Sequence, residues 1–155
     1  MAKQAEGGIK IITTNRKAYH DYHVEDTVEA GIVLTGSEVK SIAAGKASLT
    51  DAYCRVDDGE MWVQNMHIAP YENAGYAQHE PRRKRKLLLH RSEIERLRGK
   101  AEQKGYTLIP LKLYFRRGKA KLEIGLVKGK RQYDKRETIK RKDIEREMQR
   151  ELGRG

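Results

Sequence analysis

The chain has 155 residues, 37% of them hydrophobic and 35% charged, and a net charge of +11. That length holds one domain with a real core, while so polar a composition leaves part of the chain without the apolar surface to pack. One cysteine, Cys54, excludes an internal disulfide and a cysteine-built zinc site, and no apolar run of about 18 residues exists to cross a membrane as a helix.

The opening MAKQAEGG carries no apolar stretch, so no secretory signal is expected and a cytoplasmic location follows. Charge is divided along the chain. Residues 1–81 hold seven Lys/Arg against twelve Asp/Glu, and residues 82–155 hold twenty-six against ten. A division this sharp predicts a surface for nucleic acid or an anionic membrane.

In chain order, residues 1–8 read as a flexible polar arm and Ile9–Ile12 as a short edge strand. Asn15 is placed to cap a short helix over Arg16–His20. Thr27–Leu34 alternates, with Val28, Ala30, Ile32 and Leu34 on one face, which predicts a strand. Thr35 and Glu38 have capping-box spacing, and Val39, Ile42 and Ala43 supply an apolar stripe for a helix over Ser37–Ala44. Ala52–Val56 and Met61–Ile68 flank Asp58-Gly59, a strong hairpin signal.

Pro70–Glu80 reads as a loop, and Lys86–Leu89 as a strand entered from five unbroken cations, Arg82, Arg83, Lys84, Arg85 and Lys86. Ser92 and Glu95 again have capping-box spacing, for a helix over Ser92–Lys104. Leu108–Phe115 and Lys121–Val127 form a second hairpin, its inner faces expected to be Ile109, Leu111, Leu113 and Phe115 against Leu122, Ile124 and Leu126. From Lys128 the composition changes to eleven cations and six anions. Ile144, Met148 and Leu152 make a stripe too thin to offset an ordering cost of ~1–2 kcal/mol per residue. Residues 131–155 are therefore predicted to be a flexible basic tail that folds as a helix on a partner. The fold class is mainly β: an OB-like antiparallel β-barrel over 9–130 with two or three peripheral helices.

No nucleophile motif, HExxH or P-loop occurs, and no carboxylate cluster suits a nuclease metal site. The chain is therefore read as a non-enzymatic binding protein with no cofactor and no metal. His20 and His23 have helical spacing, but no further His or Cys completes a metal site. The run Arg82–Lys86 exceeds what protection of an edge strand requires and is better explained by phosphate contact. Tyr19, Tyr22, Tyr71, Tyr76 and Tyr133 fall in loops or short elements, where an aromatic ring can stack on an unpaired base. Partial burial with a wet hydroxyl competes with that role. Glu29, on the polar face of a strand, can accept from a base edge, order a neighbouring cation, or simply be exposed. A structural ribosomal protein with a basic extension fits the same composition.

Several blocks resemble the SmpB (SsrA-binding protein) family: NRKA at Asn15–Ala18, GSEVKSI at Gly36–Ile42, GKASLTDAY at Gly45–Tyr53, HIAPYE at His67–Glu72, RKLLLH at Arg85–His90, PLKLYF at Pro110–Phe115 and KGKRQYDKRE at Lys128–Glu137. The resemblance runs nearly end to end. It implies an adaptor of trans-translation, a bacterial ribosome-rescue process, that binds the tRNA-like domain of transfer-messenger RNA (SsrA). The adaptor takes that RNA to stalled ribosomes and replaces the missing anticodon arm. The implied partners are that RNA and the small-subunit decoding centre and mRNA channel, and indirectly alanyl-tRNA synthetase and elongation factor Tu.

By position, the resemblance assigns His20, Tyr22, Glu29, Leu88 and Lys121 to the RNA face. The charge reading adds Lys40, the run Arg82–Lys86, Lys128 and Lys130. The tail residues assigned to the decoding region are Tyr133, Asp134, Lys135 and Arg136, continuing as helix towards Ile144 and Met148. Two positions depart from common family residues: Tyr133, where histidine is frequent, and Ala43, where many relatives have arginine.

Overall fold

The computed structural model describes residues 8–71, 75 and 78–130. The expected arm apart from Gly8, Tyr76, and the whole tail with Tyr133, Asp134, Lys135, Arg136, Ile144 and Met148 lie outside the described residues. The elements in order are β1 (Ile9–Thr14), α1 (Arg16–Asp21), β2 (Tyr22–Ile32), α2 (Gly36–Ala43), β3 (Ala47–Ser48), β4 (Tyr53–Asp57), β5 (Glu60–Gln64), β6 (His67–Ile68), β7 (Arg85–Leu88), α3 (Arg91–Ala101), β8 (Tyr106–Arg116) and β9 (Lys119–Gly129).

Two-residue turns set the register of both long hairpins. Asp58 (φ 52°) and Gly59 (φ 74°) join β4 to β5, and Arg117 (φ 52°) and Gly118 (φ 76°) join β8 to β9. Positive φ at both positions gives the turn twist that matches paired strands. The sheet runs β1-β8-β4-β5-β7-β2-β9, and β8 also pairs with β9. Strands β8, β4, β5, β7, β2 and β9 therefore close an antiparallel barrel, with β1 attached outside to β8. This is the expected OB-like architecture. A separate pair, β3 and β6, lies beside it.

The barrel interior holds Val28, Ala30, Met61, Val63, Leu87, Leu113, Leu122, Ile124 and Leu126, with Ile94 and Leu97 of α3 against it. The single inner face expected for β8 does not hold. Register shifts between Pro110 and Lys112, leaving Leu111 out of the ladder. Leu108 and Leu113 stay inside, while Ile109 and Leu111 pack outside the barrel with Ala18 and Val127, under α1. Pro110 marks the spot, because proline donates nothing to a ladder and within strands favours bulges and edges.

Asn15 secures α1 on this second cluster. Its side chain accepts from the Ala18 N–H (3.1 Å) and donates to the Leu49 and Pro110 carbonyls (3.2 and 2.9 Å). A Cβ added at Gly125 would stand 2.6 Å from Leu111 Cδ1, and Leu111 is fully buried. Gly125→Ala is therefore expected to lower unfolding free energy by about 1–3 kcal/mol through overpacking. Urea unfolding checks this, and an unchanged midpoint would show that Leu111 repacks without strain.

The helices correct the sequence reading in phase more than in place. The Thr35–Glu38 capping box is present, but α2 buries Ser37, Glu38, Ser41 and Ile42. Val39 and Ala43, expected in its apolar stripe, face solvent. For α3 the cap is His90, whose N–H donates to Glu93 Oε1 at 3.3 Å, and not the Ser92/Glu95 pair; the helix ends at Ala101. Strand β2 starts at Tyr22, well before Thr27. The expected strand Met61–Ile68 is divided at Asn65 (φ 62°), and β9 runs past the expected break at Lys128 to Gly129.

Candidate nucleic-acid interface

Strand alternation sends one residue in two to the outside of the barrel. Across five strands the register lines up Ile11, Tyr114, Lys121, Gly31 and Leu88 as one continuous outer row. Its two ends are open apolar side chains, Leu88 at 54% exposure and Ile11 at 50%. Leu87, one residue before Leu88, is buried inside. A second row on the same face runs Glu29, Glu123, Lys112 and Thr14. Glu123 lies between a like charge and an opposite one, and the Lys112 pairing offsets the glutamate pairing.

Glu29 is anchored by two donors on one oxygen. The Tyr114 hydroxyl and Arg116 Nε (3.0 Å) both reach Oε2. Burial pushes the Tyr114 phenol up, and its bond to Glu29 pushes it further, so it stays protonated as the donor. Glu29, Gly31, Leu88, Leu89, His90, Glu93 and Lys121 line an open depression of about 490 Å³. The structure thus brings Glu29, Leu88 and Lys121 together.

His20 and Tyr22 stand elsewhere. Tyr22 begins β2, seven residues before Glu29, which is ~23 Å of extended strand. It packs against the Ala18 cluster and belongs to a long strand, not to a loop or short element as expected. The His20 ring is open to solvent and its Nδ1 lies 2.9 Å from Asp21. Lys40 sits 5.5 Å from the Tyr71 ring centroid, on the exposed side of α2.

The five-cation run is not a uniform solvated surface. Arg85 is fully buried and donates to Glu38, the fully buried carboxylate of α2. Arg85 also donates to the carbonyls of Met66 (2.8 Å) and Pro81 (3.1 Å). Arg83 reaches Glu38 through Nη2 (2.6 Å) and Nε (3.1 Å). Burial would raise the Glu38 carboxyl, but bonds from Arg83, the Thr35 N–H and Arg85 outweigh it and hold it below the usual glutamate range.

The other three cations stay on the outside with partners of their own. Lys84 lies 4.6 Å from the Trp62 ring centroid, Lys86 pairs with Glu60 at 2.9 Å, and Arg82 donates to Asn65. Two of the cations assigned to phosphate contact are thus buried in the fold: Arg85, and Lys128, which is 8% exposed with its ammonium 5.0 Å from the Tyr106 ring centroid. Lys130 is exposed.

The sequence does not mark Tyr114 or Arg116 for this site, and it marks Glu38 only as a capping-box residue. Their roles depend on pairings across 85, 87 and up to 47 residues, which no local pattern carries. Among the described residues, no group of three His, Cys, Asp or Glu is placed to hold a metal ion. No helix there is long and apolar enough to cross a membrane. The Cys54 thiol is buried, which pushes it up and leaves it unreactive.

A closed OB-like barrel with an open outer face of aliphatic, cationic and carboxylate groups belongs to the nucleic-acid-binding class of small β-barrels. A family model described as SmpB protein matches residues 12–154. The SsrA-binding protein of Acidothermus cellulolyticus is 58% identical over 149 residues, covering 96% of this chain and 94% of that protein. That of Thermobifida fusca is 55% identical, covering 98% and 96%. A chain in the solved structure described as "tmRNA-SmpB: a journey to the center of the bacterial ribosome" is 56% identical with a TM-score of 0.65, covering 76% of this chain and 82% of that one. The chain belongs to the SmpB family.

Proposed function

We propose that this protein is an RNA-binding adaptor of trans-translation. It binds the tRNA-like domain of transfer-messenger RNA through the barrel, carries it to stalled ribosomes and stands in for the missing anticodon arm. The observation that carries the reading is the convergence of Glu29, Leu88 and Lys121 on one open face of a barrel in the SmpB family. The relatives are named for binding SsrA, and the structural neighbour comes from a study of tmRNA-SmpB and the ribosome. The chain acts by binding in the cytoplasm and does no chemistry itself. Alanyl-tRNA synthetase and elongation factor Tu are indirect partners that meet the same RNA. Residues 131–155 enter the decoding centre and mRNA channel, with Tyr133, Asp134, Lys135 and Arg136 leading and Ile144 and Met148 on the helical continuation.

Phosphate contacts come from Lys121, Arg82, Lys84, Lys86 and Lys130, with Lys40 adding charge at α2. Affinity for the tRNA-like domain is therefore expected to fall by at least about tenfold between ~50 and ~200 mM salt. A flat salt response would remove the electrostatic part of the proposal. Sequencing the RNA recovered with the purified protein tests the identity of the ligand. One dominant small RNA supports an adaptor, whereas stoichiometric recovery with a ribosomal subunit supports a structural ribosomal protein.

A further inference from the structure

We propose that Glu29 is a base-reading group whose unengaged carboxylate oxygen selects an unpaired nucleobase carrying an exocyclic amine, with Tyr114 and Arg116 as its positioning residues. The inference rests on the RNA-binding reading above and says what the open face recognises. A carboxylate on a surface that meets phosphates is repelled by them; Arg116 offsets part of that charge, and a hydrogen-bond donor from the ligand offsets the rest. The donors of an RNA are base N–H groups and the ribose 2′-hydroxyl.

The geometry divides the carboxylate into two unequal halves. Oε2 accepts from both the Tyr114 hydroxyl and Arg116 Nε, which fills the two acceptor positions of one carboxylate oxygen. Among the described residues, Oε1 has no partner. Tyr114 is 5% exposed and cannot swing away, so Glu29 is held with Oε1 as the acceptor available to a ligand.

The surroundings fit a base and not only a phosphate. Glu29 lines the depression of about 490 Å³ with Gly31 between Leu88 and Lys121. Gly31 has no side chain to fill the floor, and a Cβ there would crowd Leu88 Cβ at 3.3 Å. Leu88 offers an apolar wall to the flat face of a base, Lys121 a cation for its phosphate, and Glu29 an acceptor for its edge. Acceptance from a cytosine N4 amine is a recognised carboxylate contact. Uracil offers a carbonyl at that position, and its one base donor, N3–H, stands between two carbonyls that the carboxylate repels.

The same anchoring predicts an inversion. In Glu29→Gln, Tyr114 and Arg116 still donate towards the Oε2 position, so the amide oxygen is held there. The amide NH₂ then occupies the place of Oε1, and an acceptor becomes a donor.

The test is fluorescence anisotropy of the full-length protein with short single-stranded oligomers of cytidine, uridine and deoxycytidine. The wild-type protein is expected to bind oligocytidine about tenfold more tightly than oligouridine, the scale of one hydrogen bond to a charged group. Glu29→Gln is expected to reverse that order. Tyr114→Phe should shrink the preference severalfold without changing the salt dependence, a result that a purely structural tyrosine would not give. If Glu29→Gln strengthens binding to all oligomers equally, Glu29 acts only as a charge and the base assignment is overturned. If oligodeoxycytidine binds as weakly as oligouridine, the donor read is the ribose hydroxyl and the base assignment again falls. If no RNA of any kind binds, including the tRNA-like domain, it is the RNA-binding reading that fails, and this inference falls with it.

Discussion

Glu38→Gln is expected to lower the unfolding free energy by about 3–5 kcal/mol, the largest single-residue effect in the barrel. Glu38 and Arg85 are both at 0% exposure and pair directly. Removing the carboxylate's charge leaves the Arg85 guanidinium buried, and its remaining acceptors are backbone carbonyls. It also weakens the clamp on Arg83 and the return arm of the capping box, where the Thr35 N–H donates to Glu38 Oε1 at 2.8 Å. The loss is the cost of an uncompensated charge, not the net worth of the pair. The double variant Glu38→Leu with Arg85→Met should therefore recover much of the stability, because apolar replacement of a whole buried pair is often neutral or better. Urea unfolding of the single and double variants checks both halves. A single-variant loss under about 1 kcal/mol would show that the guanidinium finds water or other acceptors.

The same site fixes the direction of a pH effect. Glu38 is held below its ordinary value of 4.5 in the fold. Its contribution to stability is therefore complete above that value and is lost as pH falls through the lower folded one. Glu38→Gln should flatten the acid limb of the stability profile and leave its slope near neutrality unchanged.

The barrel was legible in the sequence because its strands are two-sided and its hairpins carry their own turn residues, Asp58-Gly59 and Arg117-Gly118. Alternation also placed Leu88 outward beside buried Leu87. Followed two residues back, the same alternation puts Arg85 inside, where the structure has it. The contiguous charge of Arg82–Lys86 concealed this, since a run of cations is read as solvated unless a buried acid is known. That acid, Glu38, was recognised only as a helix cap. Counting Val39 and Ala43 in the apolar stripe turned α2 about its axis, because the deciding partner of Glu38 lies 47 residues away.

The candidate site was legible in part for a related reason. Leu88 and Lys121 could be placed on the outer face by period, and so could Tyr114 and Arg116 opposite the expected inner pair Leu113 and Phe115; what period could not show is the bulge at Leu111. Past that bulge the phase of β8 changes. Tyr114 and Arg116 then share the outer face with Glu29, while Leu113 points to the core. A strictly regular β8 with Leu113 inside also sends Tyr114 and Arg116 outward, but it puts Ile109 and Leu111 inside with it, and it does not show that Glu29, 85 residues from Tyr114, lies within reach.

Deleting residues 131–155 is expected to leave affinity for the tRNA-like domain within about threefold while abolishing rescue of stalled ribosomes. The described barrel closes without those residues: β9 ends at Gly129, and the outer face is built by β1, β2, β7, β8 and β9. The deleted segment holds nine Lys/Arg and six Asp/Glu, so the remaining chain keeps a net charge of +8. The nonspecific electrostatic part of RNA binding therefore loses little. Ribosome rescue in a reconstituted translation reaction, on a messenger lacking a stop codon, supplies the second readout. Equal loss of RNA affinity and rescue would show that the tail contributes to RNA binding, and the proposed division between barrel and tail would not stand. Retained rescue would place ribosome sensing in the barrel. The informative result is the split, because general destabilisation lowers both readouts together. Only a segment that acts after the RNA is bound can remove one and spare the other.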